Sequence, residues 1–194
     1  HKTTLAVLNY NGRNLLERFL PSVVRAAQAP PGHEVVVVDN NSTDESVRFA
    51  EKRFAAVRIV RMQKNRFLHS YNQFVPNCRT QTVFLLNNDV ELIGDDFLQP
   101  LLRHFDDPRQ FAVMPAVLSD TLAETYDRRW PGRFSWGFLG TDRASGRLEA
   151  GPTLFAHGAA CLVDRDKFLA LGGLDDLFYP YYGEETDLCY RAWK

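Results

Sequence analysis

The chain has 194 residues, 45 % hydrophobic and 24 % charged, with a formal net charge of −1. That length suits one α/β domain with a buried core, and the apolar content excludes a disordered chain. The balanced charge gives no argument for a nucleic-acid surface, and no nucleic-acid partner is expected.

Cys78, Cys161 and Cys189 are scattered and form no C-x-x-C. Such a set argues against a disulfide frame or zinc site and suits a reducing compartment. No apolar run approaches the ~18 residues of a membrane span, and no signal peptide is visible. A strand begins almost at residue 2 and a helical pattern is still running at Lys194, so the chain is expected to be part of a longer protein.

The stretch "TTLAVLNY" predicts a first strand. A helix follows, with Leu15, Leu16, Phe19, Leu20, Val23 and Val24 on one face and Pro21 expected to kink it. "HEVVVVDNN" predicts a second strand, whose continuous valine run suits a sheet covered on both faces. Ser42 and Glu45 have capping-box spacing, ahead of a helical face of Val47, Ala50 and Phe54. "AVRIVRM" predicts a third strand and "QTVFLLNND" a fourth. Asp95 or Asp96 is the expected cap of a helix carrying Leu98, Leu101, Leu102 and Phe105. "QFAVMPAVL" predicts a fifth strand. Residues 119–152 have no clear period and predict a long functional or mobile excursion. Order returns with "TLFAHGAACLVD", the short helix "RDKFLAL" and "GGLDDLFYPYYGEETDLCYRAWK".

The alternation of strand and helix implies right-handed βαβ units in an open, mostly parallel sheet with helices on both faces. In such sheets ligands bind beyond the carboxyl ends of the strands. Three of those ends are polar: Asn9-Tyr10-Asn11-Gly12, Asp39-Asn40-Asn41-Ser42 and Asn87-Asn88-Asp89. One such ending is ordinary turn chemistry, whereas three together point to a site. No G-x-G-x-x-G and no phosphate-cradling P-loop follows the first strand. A hard divalent cation bound through a carboxylate is the usual substitute, and Asp89 is placed to hold one.

The blocks "VLNYNG", "VVVVDNNSTDES", "FLLNNDVEL" and "GAACLVDRDKFLALGGLDDLFYPYYGEETDLCYRA" resemble, in order, those of family 2 glycosyltransferases of the GT-A fold, within the group that includes rhamnosyltransferase-like enzymes. The resemblance spans nearly the whole chain. It implies one domain, with residues 1–118 as the nucleotide-binding half and 119–194 as the acceptor-binding half. It also implies an inverting, metal-dependent transfer of a sugar from a nucleoside diphosphate to an acceptor hydroxyl. The implied partners are a nucleotide sugar, with dTDP- and UDP-sugars both open, and a glycan or lipid-linked acceptor in polysaccharide or glycolipid synthesis. The implied location is cytoplasmic, at the inner face of the plasma membrane, with peripheral membrane contact through a further C-terminal part.

By position, the resemblance implies that Asn9, Tyr10, Asp39, Ser42, Asp44, Asn65, Asn72, Asn87 and Asn88 serve the nucleotide sugar. Asp89 would hold Mg²⁺ or Mn²⁺. Glu185 would be the general base, with Glu184 beside it. Tyr181, Tyr182 and Trp136 are acceptor-side candidates, as is Trp130. His157 is expected to pack or hydrogen-bond in the core, and Asp187 to pair with Arg191 at i, i+4. The sequence departs from the family at four points. An amide stands at 87 where the first acid is usual. A glutamate stands at 185 where aspartate is usual. "KNRFLHSYNQF" lacks the family's glycines, and its spacing is one residue shorter. These departures keep open a catalytically weak or inactive nucleotide-sugar- or glycan-binding module. A nucleotidyltransferase would need a Gly-rich, basic loop after the first strand, which is absent.

Overall fold

The structure, a computed structural model, describes residues 2–28, 32–94, 96–119, 125–127, 131–136, 138–141 and 150–194. In chain order the elements are β1 (Thr3–Asn9), α1 (Arg13–Gln28), β2 (Glu34–Asp39), α2 (Ser46–Arg53), β3 (Arg58–Arg61), α3 (Tyr71–Phe74) and β4 (Thr82–Asn87). Then come α4 (Leu98–Leu102), β5 (Ala112–Val113), β6 (Val117–Leu118), β7 (Thr125–Asp127), β8 (Gly132–Ser135), β9 (Phe138–Thr141), β10 (Ala160–Asp164), α5 (Arg165–Ala170) and α6 (Glu184–Trp193).

A six-stranded sheet runs in the order β3-β2-β1-β4-β10-β5. β3, β2, β1 and β4 are parallel, with Leu5 opposite Val35 on one side and Phe84 on the other. β10 is antiparallel to β4, and β5 is antiparallel to β10. The chain winds outward from β1 to β3, then returns to lay β4 on the other side of β1. The strand order therefore reverses between β1 and β4, and the two carboxyl ends leave a crevice there.

Period-two alternation sorts the strand residues onto two faces. Leu5, Val7, Val35, Val37, Phe84 and Leu86 pack with Leu16, Leu20 and Val23 of α1, Ala50 of α2, and Leu98 and Leu102 of α4. Ala6, Val36, Val38, Val83 and Leu85 pack with Tyr71 and Phe74 of α3, Phe168 of α5 and Leu188 of α6. Both faces are covered, which is why β2 can be an unbroken run of valines.

The fully buried Tyr71 fastens the reversal point from the second face. Its hydroxyl lies 3.0 Å from Ala6 O and 3.1 Å from Leu86 O, and accepts from Leu86 N at 3.2 Å. Burial pushes the phenol above its usual range, so it stays protonated and able to donate.

Several local expectations are revised. α2 starts at Ser46, not after Ser42, because Ser42 Oγ is taken by Asn11 N at 2.9 Å. Asp44 supplies the turn instead, accepting from Ser46 N at 3.0 Å. α1 continues through Pro21 for 16 residues. α4 begins after Phe97 with no side-chain cap, so Asp96 does not cap it, and Asp95 lies outside the described residues. The expected fifth strand is two short pieces, β5 and β6, separated by Met114–Ala116. The 119–152 excursion contributes β7, which pairs antiparallel with β6, and the antiparallel pair β8–β9, and Trp130 lies outside the described residues. Among the described residues, no helix is long and apolar enough to cross a membrane.

Removing the Tyr71 hydroxyl leaves strand carbonyls and an amide short of a partner in a dry interior. Tyr71→Phe is expected to lower unfolding stability by ~1–3 kcal/mol in a urea titration. An unchanged midpoint and slope would show that the bridge contributes nothing.

Candidate active site

The carboxyl ends of β1, β2 and β4 open onto one cleft of about 580 Å³, within the range of small-molecule sites. Leu8, Tyr10 and Asn40 form its first wall, and Asn87 and Asn88 its centre. The far wall comes from the 155–159 segment and from Pro180–Thr186, including Glu184 and Glu185 at the start of α6.

Parity decides which polar residues reach this space. Leu8, Asn40 and Asn87 continue the strand face packed by α3, α5 and α6. Asn9 and Asp39 continue the other face, toward α1 and α2. Asn9 is fully buried and lines no part of the cleft. Its amide donates to Asp39 Oδ1 at 3.2 Å, Ser42 Oγ at 3.2 Å and Ser46 Oγ at 3.0 Å. Its Oδ1 accepts from Asn88 Nδ2 at 2.9 Å. Asp39 is also buried and accepts from Ser42 N at 3.1 Å. Ser42 and Asp44 lie in the same network. Burial works to raise the Asp44 carboxyl, but hydrogen bonds from the Ser46 hydroxyl and amide and from Arg13 N outweigh it and lower it.

Among the remaining candidates, Asn65 lines the cleft, and its Oδ1 accepts from Phe67 N at 2.8 Å. Asn72 is turned away. It holds Leu174 by both backbone groups, donating to its oxygen at 2.7 Å and accepting from its nitrogen at 2.9 Å. Asp89 is exposed at the end of β4 and is not part of the cleft wall. Tyr181 and Tyr182 line the rim, with ring centroids 5.0 Å apart. Trp136 is 95 % exposed and lies outside the lining. Asp187 pairs with Arg191 Nε at 2.8 Å, as its spacing implies.

The two glutamates sit differently. Glu185 Oε1 accepts from Gly158 N at 3.1 Å, leaving Oε2 as its other proton-accepting atom. A Cβ at 158 would lie 2.7 Å from that Oε1 and 2.7 Å from Leu68 Cδ1, so any other residue there would push Glu185 or Leu68 from its present position. Glu184 is 2 % exposed, and among the described residues its Oε2 has no hydrogen-bond partner. Burial raises its carboxyl, and the neighbouring Glu185 adds to this, against its own backbone amide and His69, which lower it.

Asn40, His157 and Phe67 line the cleft without having been assigned there from sequence, and Gly158 holds Glu185 behind the wall. Asn40 follows from parity, which the valine run already displays. Gly158 carried a signal as a lone glycine beside a strand. His157, expected in the core, lines the cleft, its Nδ1 accepting from Ala159 N at 3.1 Å. Phe67 was visible only as a bulky residue where glycine was expected.

The profile of "Glycosyl transferase family 2" matches residues 4–172. The chain belongs to that family. A curated relative, polypeptide N-acetylgalactosaminyltransferase 3 of Drosophila melanogaster, is 22 % identical over 99 % of this chain and 32 % of its own length. Among solved structures, the mannosyltransferase PcManGT from Pyrobaculum calidifontis, in complex with GDP-Man and Mn²⁺, is similar with a TM-score of 0.67 at 22 % identity. That similarity covers 95 % of this chain and 49 % of the mannosyltransferase. GalNAc-T7 with UDP, GalNAc and Mn²⁺ gives 0.72 at 16 % identity, over 99 % of this chain and 40 % of that one. S. aureus TarS 1-349 gives 0.71 at 15 % identity, over 100 % and 55 %. These likenesses establish the GT-A fold, and this family 2 chain spans about a third to a half of the length of such relatives.

The buried Glu184 yields a pH prediction. A carboxyl whose folded value lies above its ordinary 4.5 contributes stability below that pH, and loses it as pH rises through the folded value. Glu184→Gln is therefore expected to melt higher than the parent at pH 7, by ~2–4 °C for each kcal/mol relieved. The gap should close below about pH 4.5. A gap independent of pH would contradict the assignment.

Proposed function

We propose that this domain moves a sugar from a nucleoside diphosphate to an acceptor hydroxyl, with inversion at the anomeric carbon. The observation that carries this reading is the single cleft in which the ends of β1, β2 and β4 face the carboxylates of Glu184 and Glu185. Family membership supports sugar transfer. The nucleotides and Mn²⁺ named with the mannosyltransferase and GalNAc-T7 support a nucleotide-sugar donor and a divalent cation.

In this reading the acceptor oxygen attacks the anomeric carbon while the bond from that carbon to the diphosphate oxygen breaks. The electron pair leaves with the nucleoside diphosphate, and the hydroxyl proton passes to Glu185 Oε2. A base must come within ~3 Å of that hydroxyl, and holding the two reactants in line is itself a large share of the rate. The Gly158 amide fixes Glu185 through its other oxygen. Glu184 lines the same region beside it. Tyr181 and Tyr182, on the cleft rim, are the proposed acceptor-side aromatics.

The residues present fit a hard cation of modest affinity. Asp89 is an exposed carboxylate that directly follows Asn87 and Asn88 of the cleft lining in the chain. Among the described residues, no three His, Cys, Asp or Glu side chains gather at ligand spacing. Mg²⁺ or Mn²⁺ there would take most of its oxygens from the diphosphate and water. When bound, the ion would neutralise charge on the departing diphosphate. The acceptor is proposed to be a glycan or lipid-linked hydroxyl. The three free, buried cysteines are compatible with a cytoplasmic location at the inner face of the plasma membrane.

The lone acid at the cation position favours a second reading, a nucleotide-sugar-binding module without turnover. Release of nucleoside diphosphate from UDP-, GDP- and dTDP-sugars with Mn²⁺ separates the two. Glu185→Gln is expected to cut turnover by about 10²–10⁴-fold while keeping nucleotide binding, and Asp187→Asn to retain turnover. Thermal stabilisation by nucleotide sugars with no release, acceptor included, would support the binding module. Asp89→Asn is expected to abolish the Mn²⁺-dependent part of nucleoside diphosphate binding, measured by calorimetry with and without chelator.

A further inference from the structure

Phe67 opens the 3₁₀ turn Phe67–Ser70 with a φ of 53°. A side chain in this left-handed region crowds its own carbonyl, and a bulky aromatic is among the least suited residues. Both of its backbone groups are gripped. Its N–H donates to Asn65 Oδ1 at 2.8 Å, and its carbonyl accepts from Asn40 Nδ2 at 3.2 Å. Asn40 is in turn fixed by the Ser70 hydroxyl, which donates to its Oδ1. Two cleft residues thus hold Phe67 in a backbone conformation that glycine would adopt without cost.

The ring this strain presents is not withdrawn into the core. Phe67 is 38 % exposed on the cleft wall, next to Leu68 and near Tyr10 in the lining. Its ring meets Tyr181 edge-on, with centroids 5.1 Å apart at 86°, and Tyr179 at 6.2 Å. Strain together with an unburied aromatic surface is costly for stability alone. Such a combination persists where the surrounding structure enforces it, and it marks functional positions.

We propose that Phe67 is a specificity-determining residue of the donor subsite, its ring held as an apolar wall on which the planar base of a nucleoside diphosphate stacks. The inference rests on the nucleotide-sugar reading of the cleft. The side of the cleft nearest the end of β2 carries this ring, held in place by the Asn40 amide, and an apolar ring surface suits a flat heterocycle. The diphosphate would lie toward Asn87 and Asn88, so ring and phosphate recognition are separable. Every base has a π-face, so the wall favours nucleoside diphosphates over pyrophosphate.

The test is calorimetric binding of UDP, GDP, dTDP and inorganic pyrophosphate, each with Mn²⁺, to the parent chain and to Phe67→Gly, Phe67→Asn and Phe67→Tyr. Stacking of a base on an aromatic ring predicts about tenfold weaker nucleoside diphosphate binding in the Gly and Asn variants. Pyrophosphate binding should be unchanged, and the Tyr variant should bind as the parent does. Melting temperature should hold or rise in Phe67→Gly, because glycine suits the backbone; Asn, which also tolerates it, covers the case in which the Gly variant does not fold. Equal nucleotide affinity in parent and Gly variant would overturn the proposal while leaving the nucleotide reading intact. So would a parallel loss of pyrophosphate binding, which would make the ring a brace for the 179–183 segment. A parent that binds none of the nucleoside diphosphates would overturn the nucleotide reading itself.

Discussion

One amide–amide hydrogen bond, from Asn88 Nδ2 to Asn9 Oδ1 at 2.9 Å, spans the ends of the two strands between which the sheet order reverses. Asn9 carries this bond while its own amide holds Asp39, Ser42 and Ser46, so the ends of β1, β2 and β4 and the start of α2 share one buried network. Partly satisfied, such a network would be costly; satisfied, it fixes the loops to one arrangement. Gly12 is part of the same constraint. A Cβ there would lie 2.1 Å from Asn88 Nδ2 and 2.6 Å from Asn9 Oδ1. The polar strand ends thus do two jobs, and period-two alternation assigns them. Asn9 and Asp39, facing α1 and α2, are structural ties; Leu8, Asn40 and Asn87, facing α3 and α6, form the cleft, and Asn88 does both.

That division explains what the sequence revealed and what it withheld. The element order through β4, the parallel pairing and the double-sided cover of the sheet were legible, because the valine run of β2 and the helical spacing in α1 are strong local signals. The convergence of the three strand ends was legible too. Asn9 and Asp39, expected to serve the nucleotide sugar, are buried outside the cleft lining, and the alternation of buried residues in β1 and β2 contains that information. Helix starts were misjudged for a different reason. Ser42 has ideal capping spacing, but a tertiary contact, the Asn11 amide, claims its hydroxyl. The seat of Glu185 on the Gly158 amide joins residues 27 positions apart and leaves no periodic trace in the chain.

The two walls of the cleft are built on different principles. The sheet side is a rigid hydrogen-bonded lattice backed by Tyr71, whose hydroxyl ties the middle of β1 to β4. The opposite side combines charge and aromatic surface. It holds one buried glutamate with an oxygen unpartnered among the described residues, one glutamate fixed by a backbone amide, and a tyrosine rim in ring contact with Phe67. The proposed reaction would suit this division, with leaving-group charge met by fixed polar groups and the attacking hydroxyl by the carboxylate of Glu185.

The most direct measurement is a crystal structure of the chain with a nucleoside diphosphate and Mn²⁺. The account predicts the nucleotide in the cleft between β1 and β4, with the base against Phe67. The diphosphate should lie by Asn87 and Asn88 with the metal at Asp89, and the Glu185 carboxylate should face the open end of the diphosphate. A nucleotide bound on another surface, or a diphosphate on the α1–α2 side of the sheet away from Glu185, would contradict it.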